Sequence, residues 1–315
     1  MTGREVDLSG LQVALAQSAR SPWALDEARA GTVAAVITDL SLGKEVSASR
    51  LGAAVGGANL GGPPAARPQI LPAARGGKST ALVSCRGVIL YDLEYQPYAV
   101  SARRLAQTMR QLAADPSIGR IILAIDSPGG TVTGVEEAAD AVFAARAIKP
   151  VVAMVDPLCA SAAYWIASQA SKINCTPSGD VGSIGVFMLH VDVSQAMAAA
   201  GIKPTFIFAG EHKVEGNSYE PLGPEAKAYL QAETNAIYGA FLRAVARGRG
   251  VSAALVQQTF GKGRTVSARE AKRLGMIDGL GTLDDVVNQV ASTQAHQASD
   301  EQSARRRRLD LLRWG

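Results

Sequence analysis

From about residue 81 onward the chain alternates between two periods, and this alternation constrains its fold more than any other feature. Short apolar runs, "ALVSCRGVIL", "RIILAID", "VVAMV" and "KINCT", have the length and β-branched content of buried strands. Between them lie helix-length stretches. "SARRLAQTMRQLAAD" has Ser101 as its predicted cap and Leu105, Met109 and Leu112 on one face, and "VTGVEEAADAVFAARAI" ends at Lys149-Pro150. Further along, "GVFMLHVDV" and "PTFIF" read as strands, Ser194 to Ala200 as a short helix and Pro224 to about Arg247 as a long one. Strands separated by such helices predict repeated βαβ units and an α/β fold with a mostly parallel sheet.

The flanks read differently. "SPWALDEARAGTVAAVI", Ser21 to Ile37, predicts a capped helix within an N-terminal helical extension over residues 1–50. Residues 51–80, rich in Gly, Ala and Pro without periodicity, read as a flexible linker. The main domain is expected over 81–292, and residues 293–315 form a polar, disordered basic tail carrying "RRRR" at Arg305 to Arg308.

Composition narrows the function. A net charge of +4, much of it in that tail, gives no basic face for nucleic acid. Three cysteines, Cys85, Cys159 and Cys175, have no CxxC spacing, which argues against a disulfide framework or zinc and for a reducing compartment. No run is long enough for a membrane span, and "MTGREVDLSG" lacks a signal-peptide pattern, so the expectation is a cytoplasmic protein. With aromatic residues at only 5%, the core must pack through close approach of small side chains.

Two turns invite chemistry. "AIDSPGG" ends a buried strand in a glycine pair, where bare N–H groups suit an oxyanion hole, although an ordinary tight turn has the same sequence. It matches no phosphate loop. In "DPLCASAAYW", Ser161 falls where a strand gives way to a helix, so the helix N-terminus stands behind its hydroxyl. Ser161 is either a nucleophile or a plain N-cap; Cys159, two positions earlier, reads as a small core residue. A serine needs a base. His190 is one option, and Lys213 in "AGEHKVEGN" is another, provided its amine is kept neutral by burial and hydrogen bonding.

Four segments in order, "DSPGG", "CASAAYW", "VGSIGV" and "GEHKVEGN", resemble the Ser-Lys peptidases of the signal peptide peptidase A family over about residues 80–290. By that resemblance Ser161 is the nucleophile, Lys213 the general base and Ser183 the hydroxyl that orients the lysine. Gly130 and the N–H of Ala162 form the oxyanion hole. Ala162-Ala163 stands where the family often has two glycines. The family fold, crotonase-like or ClpP-like, implies no metal or cofactor and a homo-oligomeric ring. "HKVEGNSYEPL" and "SPWALDEA" are similar to the phage branch, the capsid assembly or head maturation proteases. That implies cleavage of scaffold protein and of itself among procapsid proteins, in the host cytoplasm or procapsid interior. The alternative within the family is a cytoplasmic signal peptide peptidase A-like protease that degrades peptides. Outside it stand an acyl-CoA hydratase or hydrolase, and a catalytically silent scaffold-binding protein.

Overall fold

A computed structural model describes residues 22–41, 68–73, 77–92 and 99–288, with scattered positions between 44 and 53. In chain order the elements are β1 (Trp23–Leu25), α1 (Glu27–Ser41), β2 (Pro68–Leu71), β3 (Ser79–Arg86), β4 (Val88–Leu90), β5 (Ala99–Ser101), α2 (Ala102–Ala114), β6 (Ile118–Ser127) and β7 (Gly129–Thr131). They continue with α3 (Val135–Ile148), β8 (Val151–Ala160), α4 (Ala162–Ala167), β9 (Lys172–Cys175), β10 (Asp180–Gly182) and α5 (Ser194–Ala199). The last are α6 (Pro224–Arg249), α7 (Ala253–Thr259), β11 (Thr265–Ser267), α8 (Ala268–Arg273) and β12 (Gly279–Leu280).

The main sheet runs β11-β10-β8-β6-β3-β2, with β9 beside β8 and β12 beside β9. Its centre is parallel: β3 with β6, β6 with β8, and β8 with both β9 and β10. The α/β expectation is met, because α2 and α3 lie on the crossovers that join these parallel neighbours. Ser101 caps α2 as expected, its hydroxyl accepting from the Arg104 N–H at 3.2 Å. A smaller sheet, β1-β7-β4-β5, stands at the carboxyl end of β6.

The main core joins Val83, Leu123, Val155 and Ile173 of the sheet to Leu105, Met109 and Val142 of the helices. A second cluster unites Trp23 and Leu25 with Val33, Val36 and Ile37 of α1 and with Val88 and Leu90. Small residues do permit close approach. A Cβ on Gly248 of α6 would stand 2.1 Å from the Ser168 carbonyl oxygen, so the helix lies against the end of α4 through its backbone. There Trp165 stacks on Phe241 with ring centroids 4.6 Å apart.

Four local expectations are corrected. Residues 23–25 are a strand and the helix starts at Glu27, because Gly129–Thr131 offers an unpaired edge and tertiary pairing outweighs local capping signals. "GVFMLHVDV" forms no strand beyond one bridge, between Phe187 and Trp23. "PTFIF" is neither strand nor buried: it finds no ladder partner among the described residues, and Ile207 is 98% exposed. Pro68–Leu71, inside the stretch that reads as linker, pairs antiparallel with β3. The N-terminal 21 residues, positions 54–67 and the tail with its arginine run lie outside the described residues. No helix among those described is long and apolar enough to cross a membrane.

Candidate functional site

β8 and β10 end side by side. Their parallel register closes with Gly182 beside Ala160, so Ser183 and Ser161 are the next residue on each strand. Both leave the sheet with positive φ, 52° for Ser183 and 54° for Ser161. For a non-glycine residue that is a strained conformation, costing on the order of 1–3 kcal/mol and held only where the surroundings impose it. They do so here. The Ser161 N–H donates to the Gly182 carbonyl at 2.6 Å, its own carbonyl accepts from the Trp165 N–H at 2.9 Å, and the Ser183 N–H donates to the Arg264 carbonyl at 2.9 Å.

This geometry removes the N-cap reading of Ser161. The residue occupies the position before α4, yet its side chain makes no capping bond. Its hydroxyl instead points to the Gly185 carbonyl oxygen, 3.4 Å away. Gly185 belongs to the "VGSIGV" stretch, where sequence reasoning singled out Ser183 and missed the carbonyl two residues on. A strand ending in a strained serine that opens a helix exposes a hydroxyl to the free N–H groups of that helix.

The glycine turn faces the same point. A Cβ placed on Gly129, whose φ is +98°, would stand 3.0 Å from both the Ala160 carbonyl oxygen and the Ser161 Cβ. Gly130 is fixed for another reason, since a Cβ there would fall 1.8 Å from the Ile89 carbonyl oxygen. Ser127 braces the turn: its hydroxyl donates to the Gly87 carbonyl at 2.7 Å and accepts from the Gly129 N–H at 3.2 Å. Ser161, Ser183, Gly130 and Ala162 are therefore gathered in one buried place at the carboxyl ends of β6, β8 and β10.

Cys159 is fully buried in the sheet, and burial, with Cys175 and Cys85 nearby, pushes its thiol well above the ordinary range. It is a core residue, as its sequence context suggests.

Lys213 is not brought to the serines. It sits on an exposed turn, where its N–H donates to the Gly210 carbonyl at 3.1 Å and its amine makes no hydrogen bond or ion pair among the described residues. The buried Asn217 organises that turn, a role its sequence gave no sign of. Its amide donates to the Val214 carbonyl at 2.8 Å and to the Glu220 carboxylate, and its side-chain oxygen accepts from the Tyr219 N–H at 2.8 Å. His190 bonds through Nε2 to the Asn217 carbonyl at 2.9 Å, which makes Nε2 the donor and ties the histidine to this turn rather than to Ser161. Between the turn and Phe187 runs a groove of about 390 Å³, lined by Met188, His190, Glu215, Leu222 and Leu230. No cluster of metal-binding side chains occurs among the described residues.

The model of peptidase family S49 matches residues 144–297. Capsid assembly protease C of Escherichia phage lambda is 34% identical over 194 residues, 61% of this chain and 44% of that protein. Head-tail preconnector protein GP5 of Enterobacteria phage P21 is 33% identical over 58% of this chain and 36% of its own length. The putative protease MJ0651 of Methanocaldococcus jannaschii is 32% identical over 220 residues, 68% of this chain and 70% of that one. The chain thus spans less than half the length of the two phage relatives.

Proposed function

The chain belongs to peptidase family S49, and from that premise we propose that it is a serine endopeptidase with Ser161 as nucleophile and Lys213 as general base. The observation that carries the proposal is the seat of Ser161: buried, strained, released from capping, and set between a helix N-terminus and the glycine turn. Energy held in such a conformation has no structural benefit to α4, which suits a residue kept for chemistry.

In the proposed reaction the Ser161 hydroxyl loses its proton to the neutral amine of Lys213 as Oγ bonds to a peptide carbonyl carbon. The N–H groups of Gly130 and Ala162 hold the oxyanion. The C–N bond then breaks, and the lysine gives the proton to the departing amine. Water, deprotonated by the same amine, releases the acyl group and restores the hydroxyl. Ser183, the neighbour of Ser161 in the register, orients the amine.

Because Lys213 lies on an exposed turn and not beside the serines, the proposed mechanism requires assembly both to bring the lysine amine to Ser161 and to cover the turn. Ile202, Phe206, Ile207 and Phe208 precede it, all exposed, and a second copy of the chain is the occupant we assign to them. A homo-oligomer supplies the burial that keeps the amine neutral.

The similarity to capsid assembly protease C supports a role in phage head maturation, with scaffold protein and the chain itself as substrates among procapsid proteins in the host cytoplasm or procapsid interior. The match to the putative protease MJ0651 over 70% of its length, together with similarity to the serine protease SPPA of Arabidopsis thaliana, supports a second reading, a cellular peptidase similar to signal peptide peptidase A. The test is Lys213→Arg with casein as substrate. A guanidinium does not give up its proton at any working pH, so the variant is expected to be inactive. Full activity would overturn the base assignment.

A further inference from the structure

β1 lies across the candidate site in the manner of a bound peptide. It pairs antiparallel with β7, Trp23 opposite Thr131, Ala24 opposite Gly130 and Leu25 opposite Gly129. On its other edge it pairs with Phe187: Trp23 and Phe187 exchange two hydrogen bonds, each of 2.9 Å. A short extended segment thus fills a slot between two backbone edges, which is how peptides join a sheet by strand addition.

The register gives the slot its meaning. The Asp26 N–H donates to the Pro128 carbonyl at 2.9 Å, and the Val132 N–H donates to the Pro22 carbonyl at 3.0 Å. Antiparallel ladders alternate hydrogen-bonded and non-bonded pairs, so Ala24 and Gly130 are the bonded pair between them. The Ala24 carbonyl therefore takes the Gly130 N–H, the group that the proposed mechanism reserves for the oxyanion. The same carbonyl oxygen stands 2.2 Å from the Cβ position of Gly129, and Ser161 Cβ stands 3.0 Å from that position. A peptide carbonyl and the proposed nucleophile are neighbours, and Ser161 has no exposed surface left.

We infer that the outer edge of β7, together with Phe187, is the docking strand for an extended peptide, and that Pro22–Asp26 is its resident occupant, which a substrate must displace. The chain as folded is a latent form. This rests on Ser161 being the nucleophile. Trp23 and Leu25 anchor the occupant in the cluster with α1, so release moves α1 as well.

The test pins the strand. Pro22 and Val132 face each other as a hydrogen-bonded pair, with Cα atoms about 5.5 Å apart by ladder geometry, within the range a disulfide spans. In the full-length Pro22→Cys/Val132→Cys protein, oxidation is expected to abolish casein hydrolysis and dithiothreitol to restore it. Equal hydrolysis in both states would overturn the inference and show β1 to be a permanent strand. If neither state cleaves casein, Ala24→Pro decides, since it removes the Ala24 N–H from the ladder. Hydrolysis above wild type supports displacement, and no increase overturns it. Adding Ser161→Ala to the reduced clamp separates the two readings. Cleavage that persists there refutes the nucleophile, whereas cleavage lost there means that the oxidation result reports on β1 alone.

Discussion

Ser161 and Ser183 occupy equivalent places on adjacent parallel strands, one step past the register pair Ala160 and Gly182, and both have left-handed backbone, φ 54° and 52°. Two such serines side by side are not what strand propensity or capping would select. Their strain is imposed by the turn hydrogen bonds around them, and it sets Ser161 beside the glycine turn.

That strain can be read out in stability. Ser161→Gly is expected to unfold at higher denaturant than Ser161→Ala, by about 1 kcal/mol, because glycine adopts positive φ freely and no capping bond is lost in either. Urea unfolding of the two variants measures it. A less stable glycine variant would mean that Ser161 is not held under strain.

Asp278 anchors the end of the fold. Its carboxylate accepts from the Ile173 N–H at 2.7 Å and takes a two-pronged contact from Arg249 at 2.7 and 3.1 Å. Burial opposes its ionised form, but these bonds prevail and hold its carboxyl below the usual range. A depressed folded pKa means stability present above the unfolded value near 4 and lost as pH falls further, through the folded one. Asp278→Ala is expected to cost about 2 kcal/mol at pH 7, and the gap from wild type should narrow below about pH 4. Thermal melts at pH 7 and 3 check both, and a gap that widens in acid would contradict the assignment.

The thiols should be inert while the chain is folded. Burial pushes Cys85 up to about 12 and Cys159 well above its ordinary value, so little thiolate exists at neutral pH. Iodoacetamide is expected to leave both unmodified in buffer and to alkylate them in urea, as read by intact mass. Rapid alkylation of Cys159 in the folded protein would reopen it as a nucleophile.

Ile207→Asp separates assembly from folding. At 98% exposure the side chain contributes little to the single chain, so stability should change by less than about 0.5 kcal/mol. Self-association in size-exclusion chromatography and casein hydrolysis should both fall. A variant with wild-type size and activity would exclude this face as the cover for Lys213.

The parallel sheet was legible in the sequence because "RIILAID" and "VVAMV" are short, apolar and separated by helices, and Ser101 announced its own cap. Ser161 was legible as a strand-to-helix junction, though not the carbonyl of Gly185 that receives its hydroxyl. What stayed hidden depends on distant partners. Trp23–Leu25 has helix-like flanks and becomes a strand only because β7 offers an edge more than a hundred residues away. "PTFIF" has every local mark of a buried strand, yet it lies exposed because no strand among the described residues offers it an edge, which no local pattern encodes. The organising role of Asn217 could not be read for the same reason: two of its three partners are backbone groups of the turn, the Val214 carbonyl and the Tyr219 N–H, set by conformation and not by residue type.

The central claim, that Ser161 is the nucleophile of a peptidase, is tested most directly by intact masses of wild type and Ser161→Ala after incubation with casein and with a candidate scaffold protein. Fragments produced by wild type and absent from the variant are the predicted result. Identical fragments from both proteins would contradict it.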